Sequence, residues 1–462
     1  MDGWDGGDRM VTEAAAGGPP GRRAIMDRLA RGSVFAFGTY IAGAGLTYLA
    51  QLMIARLAGA ESYGVYAYVL AWITILAYVA ALGFDVSLLR LIPAYRTVGD
   101  WGLTRGIIQY AERRVAATGC FILIAGGLIV WFAGRGYATD LGRTLIIGFA
   151  LVPIWSLLWI SSSMVRAFGG VVSALAPDRI VRDGVLVILL GFAAVSSGVH
   201  FDASFVMILT VTGSLTGLIS VRLLLRRWRS HAVMTAEPRY SALDWRLTAI
   251  PLVLISVAET TFNRTGVVLL GWTGHTIDAG VFALTFNLAM SVMLPKTAVN
   301  ALFAPLVSEL SARNDRPALQ HMVTRTALWT LLSGLGIGLP LMLLADPLLA
   351  WFGPDFAAGA TAMRILLIGQ IVAACFGPQM FLMTMTGNER SAAGLLIGSA
   401  ILNGLFGALL IGGMGLTGAA IATTVAMILW NIGMAIFVWR GIGLVPGVLG
   451  LFRLRRQMWP NV

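Results

Sequence analysis

Pro251-Leu-Val-Leu-Ile-Ser-Val-Ala-Glu259-Thr-Thr-Phe-Asn263-Arg264-Thr-Gly-Val-Val-Leu-Leu-Gly-Trp272 decides how the rest of the chain is read. The stretch is long and apolar enough to cross a bilayer, which takes about 20 helical residues. Yet Glu259, Asn263 and Arg264 sit in its middle and outer part. A charge at that depth costs several kcal/mol unless it faces protein or water, so an intramembrane ionisable group reads as a functional site. The next apolar stretch adds Lys296, the only lysine in 462 residues.

Working outward, the composition agrees. The chain is 58% hydrophobic and 12% charged, with mean hydropathy +0.81. A soluble domain carries about 25% charged residues, so this chain cannot cover a water-facing surface. Its apolar runs are continuous rather than alternating, which excludes a barrel and gives an all-α polytopic membrane protein. The net charge of +11 does not point to nucleic acid, because the basic residues are spread over short segments between apolar runs. Cys120 and Cys375 stand alone, and His200, His231, His275 and His321 show no metal-ligand spacing. No metal and no resident cofactor are expected.

The runs predict twelve spans: about 33–54, 63–83, 115–134, 144–165, 180–199, 203–223, 247–271, 278–303, 325–345, 357–382, 391–411 and 415–438. With both termini cytoplasmic, inner segments hold 27 of the 33 basic residues and outer loops four, a strong positive-inside bias. The domain reading is a partly disordered cytoplasmic tail (1–31), a first lobe of spans 1–6 (32–225), a basic cytoplasmic loop (226–246), a second lobe of spans 7–12 (247–440) and a basic cytoplasmic tail (441–462). A trace of an internal repeat supports two lobes. Tyr63-Gly64-Val65-Tyr66-Ala67 follows span 1, and Ala279-Gly280-Val281-Phe282-Ala283 follows span 7. Gly394-x-x-x-Gly398 reads as a close helix–helix contact. Gly413-Met-Gly415-Leu-Thr-Gly418 spells a dinucleotide fingerprint, but no strand precedes it, so it is a turn between two spans. No nucleotide-binding lysine motif is present.

Helical geometry separates the intramembrane groups. Glu259 and Asn263, four apart, share a face, whereas Arg264 lies roughly 140° round from Glu259. The expected cavity holds Arg264, Lys296, Asn263, Asn287 and Asn300 as substrate contacts, with the two cations suited to an anionic head group. Glu259 is the candidate coupling residue for a proton or a cation. It also fits a structural role, pairing Arg264 or Lys296 and locking the lobes. Asp85 and Arg90, at the inner end of span 2, read as a structural or gate pair.

Ala55-Arg-Leu-Ala-Gly-Ala-Glu61-Ser-Tyr63-Gly64-Val-Tyr66, Gly83-Phe-Asp85 through Pro93, Asn300 to Pro305, Met385-Thr-Gly387-Asn-Glu389-Arg390 and Gly415 to Ala422 resemble, in order and spacing, the polysaccharide transporters. These are the O-antigen flippase-like branch of the multidrug/oligosaccharidyl-lipid/polysaccharide (MOP) exporter superfamily. The resemblance implies two pseudo-symmetric six-helix lobes in a V and alternating access. It implies flipping of a lipid-linked oligosaccharide across the bacterial inner membrane, for exopolysaccharide or O-antigen synthesis. It implies no enzymatic step, and as partners the lipid-linked oligosaccharide, membrane lipids and other polysaccharide assembly proteins. Cationic cavity residues hold the lipid pyrophosphate in such proteins, and Arg264 matches that usage; span 1 has no charge before Arg56. The alternatives are an ion-coupled drug or metabolite antiporter of the same superfamily and a membrane-embedded glycan polymerase or ligase. The outer loops are too short for an enzyme's site. The topology has a direct test: reporter fusions at His231 and His275 should fall on opposite sides of the membrane, and the same side for both sinks the twelve-span reading.

Overall fold

The computed structural model describes residues 22–133, 139–196, 200–229, 231–296, 307, 310 and 315–451. Eight helical stretches among them are long and apolar enough to cross a membrane. Two of these are each a pair of crossings joined by a sharp glycine turn. At Gly59 (φ 77°) residues 22–58 (α1) give way to 60–81 (α2). At Gly415 (φ 50°) residues 389–414 (α17) give way to 416–437 (α18). Both backbones lie in the left-handed region that a side chain disfavours. Two further crossings carry charges within the helix: residues 171–195 and Ala242–Trp272 (α11). That makes twelve crossings among the described residues.

After α2 the chain bends at Leu82 and Gly83, both with positive φ, into Phe84–Thr97 (α3). Trp101–Ala133 (α4) follows, then Asp140–Phe149 (α5) with Leu151–Ala167 (α6) as one crossing. Next come Val171–Ala176 (α7), a π-turn Pro177–Val181, and Arg182–Val195 (α8). Ala203–Trp228 (α9) closes the first lobe and a short helix, His231–Thr235 (α10), leads to α11. In the second lobe Thr276–Met290 (α12), Arg316–Leu343 (α13), Ala345–Ala350 (α14), Ala360–Phe376 (α15) and Gln379–Met385 (α16) precede α17 and α18.

Two expectations change, and two connecting stretches are seen to dock on the helices. The segment read as a loop before span 5 is helical from Val171, and the crossing ends at Val195 rather than 199. Arg179 and Arg182 therefore lie inside a crossing, which lowers the expected count of inner basic residues from 27 to 25 against four. The linker before span 7 is docked, not free: Arg239 donates its N–H to Gly102 O (3.0 Å) and pairs with Asp100 (2.5 Å), and Arg105 reaches Ala236 O (2.8 Å). Asp100 also caps α4 through the Leu103 N–H, and that bond, helped by Arg239, holds its carboxyl below the usual range. Trp245 is fully buried, packs on Tyr110 and donates to Tyr95 OH (2.9 Å), so α11 starts inside the first lobe's core. The chain is tied down at Val445 as well, Gln320 exchanging two hydrogen bonds with its backbone. Finally, Gly394 and Gly398 have no helix against them: a Cβ at either would meet nothing within 4 Å.

The repeat motifs meet each other. A Cβ on Gly64 would stand 2.0 Å from Thr276 O, and one on Gly280 would stand 2.7 Å from the Gly64 Cα. Two backbones touch there, at corresponding places in the two lobes. Tyr63 against Phe356 (5.4 Å, edge-on) and the Arg56 Nε–Trp351 O bond (2.5 Å) extend the seam at this hairpin end. Gly64→Ala should destabilise the protein by about 1–3 kcal/mol through overpacking. Gly394→Ala should stabilise by up to about 1 kcal/mol, since helical glycine costs that much and the site is open. Thermal unfolding of the two variants in detergent checks the contrast.

Candidate functional site

Proline at 177 removes an N–H and crowds the preceding carbonyl, and the helix absorbs the conflict in a π-turn closed by Arg182 N to Pro177 O. The widened turn fits because its neighbours are glycines. Gly43 on α1 faces the Arg179 backbone, and Gly213 and Gly217 on α9 face Arg182 O and Pro177 O. The turn aims Arg182 inward. Its guanidinium holds Asp178 (2.8 Å) and Asp183 (2.7 Å) and lies over the Trp155 ring, 5.8 Å from its centroid. Thr47 of α1 donates to the other Asp183 oxygen (2.5 Å). Above them Thr210 gives its hydroxyl proton to Val206 O, so Tyr66 donates to Thr210 (3.1 Å).

This cluster forms one wall of a cavity of about 220 Å³ between the lobes. Arg264 of α11 and Asn287 of α12 form the opposite wall, with Tyr63, Gln51 and Trp159 between. Tyr48 OH bonds to Asn287 O (2.8 Å) and joins α1 to α12 below it. Arg182 is matched by two carboxylates. Arg264 makes no ion pair among the described residues; Tyr63 and Tyr78 are the groups near enough to sense its charge.

The expected residues divide. Arg264 and Asn287 share the cavity. Glu259 and Lys296 lie outside its lining and sense each other electrostatically, without a direct ion pair among the described residues. Glu259 does not pair with Arg264, as their angular separation on the helix requires. It is exposed, and its charge reaches Tyr78 of α2 as well as Lys296, so it stands in the cleft between the lobes. Asn263 is half-buried outside the cavity lining. Asn300 lies outside the described residues. Asp85 and Arg90 are not a pair: Arg90 is exposed, while Asp85 turns inward with one oxygen buried and unbonded, and the cation whose charge it senses is Arg166.

Asp178, Arg182 and Asp183 were missed as site residues because Asp178 falls before the span read at 180–199 and Arg182 and Asp183 at its inner edge, where charges read as topology signals. A signal existed. Gly184 to Val195 alone is too short to span, since 10–14 apolar residues do not cross a bilayer. The missing length had to come from the polar side, and Asp178–Arg182 has the i,i+4 spacing of a helical ion pair.

No protein-family model matches the sequence, and no curated protein matches it. Solved structures do. An inward-facing multidrug resistance MATE family transporter of the MOP superfamily aligns with TM-score 0.73 at 14% identity, over 92% of this chain and all of that one. An outward-facing structure with the same description aligns at 0.65 and 15%, over 93% and 96%. The MATE multidrug transporter DinF-BH in complex with R6G aligns at 0.64 and 18%, over 92% and 97%. The chain has the MOP transporter fold. At these identities the likeness speaks for the fold alone.

Removing Arg182 strands two carboxylates, of which Asp183 is only 5% exposed. Arg182→Gln should therefore cost about 3–5 kcal/mol. Arg182→Gln with Asp183→Asn should cost less than the single change, read from thermal unfolding in detergent; equal costs would mean the pair is not coupled.

Proposed function

We propose that the chain is an ion-coupled transporter that moves an amphipathic organic solute with an acidic group through the interlobe cavity by alternating access. This is the drug and metabolite antiporter reading. The observation that carries it is the cavity: both lobes wall it, and its one cation without a carboxylate partner among the described residues is Arg264. A cationic solute needs an unmatched acid, and Asp183 is already held by Arg182 and Thr47. Binding an anion relieves the cost of Arg264 in a low-dielectric wall, and the planar guanidinium suits a carboxylate or phosphate. The fold shared with multidrug transporters supports this reading over the flippase to which the sequence motifs point. Flipping of a lipid-linked oligosaccharide is the second reading, favoured by the same unmatched Arg264, which would take a pyrophosphate in bidentate fashion.

The remaining basic bias supports a bacterial inner-membrane protein with both termini cytoplasmic. The driving ion would act at Glu259, which lies in the cleft between Tyr78 and Lys296, and would be a proton or sodium. The cycle makes and breaks no covalent bond.

In proteoliposomes with an imposed proton or sodium gradient, Arg264→Ala should slow uptake of a fluorescent organic anion about 10- to 100-fold, roughly 1.4–2.8 kcal/mol of binding. Arg264→Lys should recover part, because the charge stays while the fork is lost. Glu259→Gln should uncouple uptake from the gradient, with the protein folded. Transport of an organic cation that Arg264→Ala leaves unchanged would defeat the anion assignment. Translocation of a lipid-linked pyrophosphate, without uptake of free solutes, would replace the first reading by the second.

A further inference from the structure

Gly394 opens onto a groove of about 650 Å³ between α17 and α18, walled by Leu395, Gly433, Ile436 and Phe437, with Arg440 at its end. Gly441 is shared with a second pocket, about 220 Å³, lined by Arg316, Thr386 and Asn388. The groove is apolar along its length and the pocket is polar. Their level is fixed by the helices. Arg316 opens α13, Asn388 precedes α17, and Arg440 follows α18. All three lie at the same end of the lobe, where its crossings leave the hydrocarbon. Arg316 and Arg440 are exposed and make no ion pair among the described residues. The Arg316 guanidinium lies over Gly443, 3.4 Å from where a Cβ would be, which keeps it beside the polar pocket.

We propose that the groove and pocket together bind one anionic phospholipid, its phosphate between Arg440 and Arg316 and an acyl chain along Gly394 and Gly433. Cations at head-group depth recognise anionic lipid phosphates, and the guanidinium fork matches a phosphate. The glycines leave the groove deep enough for a chain. A free anion would use the pocket and leave the groove unexplained. A helix from a second copy would fill the groove and offer the arginines nothing.

The test is native mass spectrometry of the full chain from micelles holding equal amounts of phosphatidylglycerol and phosphatidylcholine. The wild-type protein should retain one phosphatidylglycerol in preference. Arg440→Gln, an exposed change with folding followed by circular dichroism, should cut that preference about fivefold. Gly394→Leu should abolish retention by filling the groove. Equal retention of the two lipids, or variants that behave as the wild type, overturns the proposal. So does displacement of the lipid by millimolar inorganic phosphate, which marks a free-anion site. A dimer lost in Gly394→Leu would make the groove an interface between copies and overturn it too.

Discussion

Every charge inside a crossing must be matched or wetted, because an ion left alone in hydrocarbon is expensive. The two lobes meet this constraint differently. The first lobe matches its charges: Arg182 lies between Asp178 and Asp183, with Thr47 on the remaining oxygen. The second lobe leaves Arg264 facing the cavity and Glu259 exposed in the cleft. A cleft is thus required of this sequence. Close the lobes over α11 and Arg264 has no carboxylate among the described residues to receive it.

The contact that shapes the cleft is backbone on backbone. Gly64 and Gly280, equivalent in the two halves, bring α2 and α12 together at the hairpin end, where side chains of any size would hold them apart. Such a contact is short-range and non-directional, and the Arg56–Trp351 O bond beside it ties the lobes directionally. Larger side chains then set the neighbourhood: Tyr63 fills the space against Phe356 on one flank, and Tyr66 turns its hydroxyl into the cavity toward Thr210.

Much of this was legible in the chain. The length and apolarity of the runs, the glycine-marked hairpins and the repeat of Gly64 and Gly280 follow from local composition, and the crossing count follows from them. Arg264 was visible because an arginine within an apolar run has few benign readings. Span 5 was misread because its charges sit next to Pro177, and proline beside charges normally marks a loop; only the glycines of other helices, distant in sequence, make room for a π-turn there. Gly394-x-x-x-Gly398 failed in the opposite way. The spacing tells that something slender can approach, and not whether it is a helix. Asp85 and Arg90 lie five apart on a helix, too far round for a pair, and the bend at Leu82 and Gly83 turns Asp85 into the core.

α11 joins these observations. Its first turns belong to the first lobe, through Trp245 and Ala249 in that core and the Gly83 bend pressed on the Ala249 carbonyl. Its middle belongs to the second, where Asn403 donates to Phe262 O (2.9 Å). Rocking of one lobe against the other would load the stretch between residues 249 and 262. Pro251 lies in that interval and removes the N–H that would bond Leu247 O, which lowers the cost of bending the helix at this point. Glu259 stands just before the second attachment and Arg264 just after it. A bend at Pro251 swings both charges relative to Tyr63 and Tyr78, which stay with the first lobe. The helix attached to both lobes is thus the one that carries the cavity's unmatched charge.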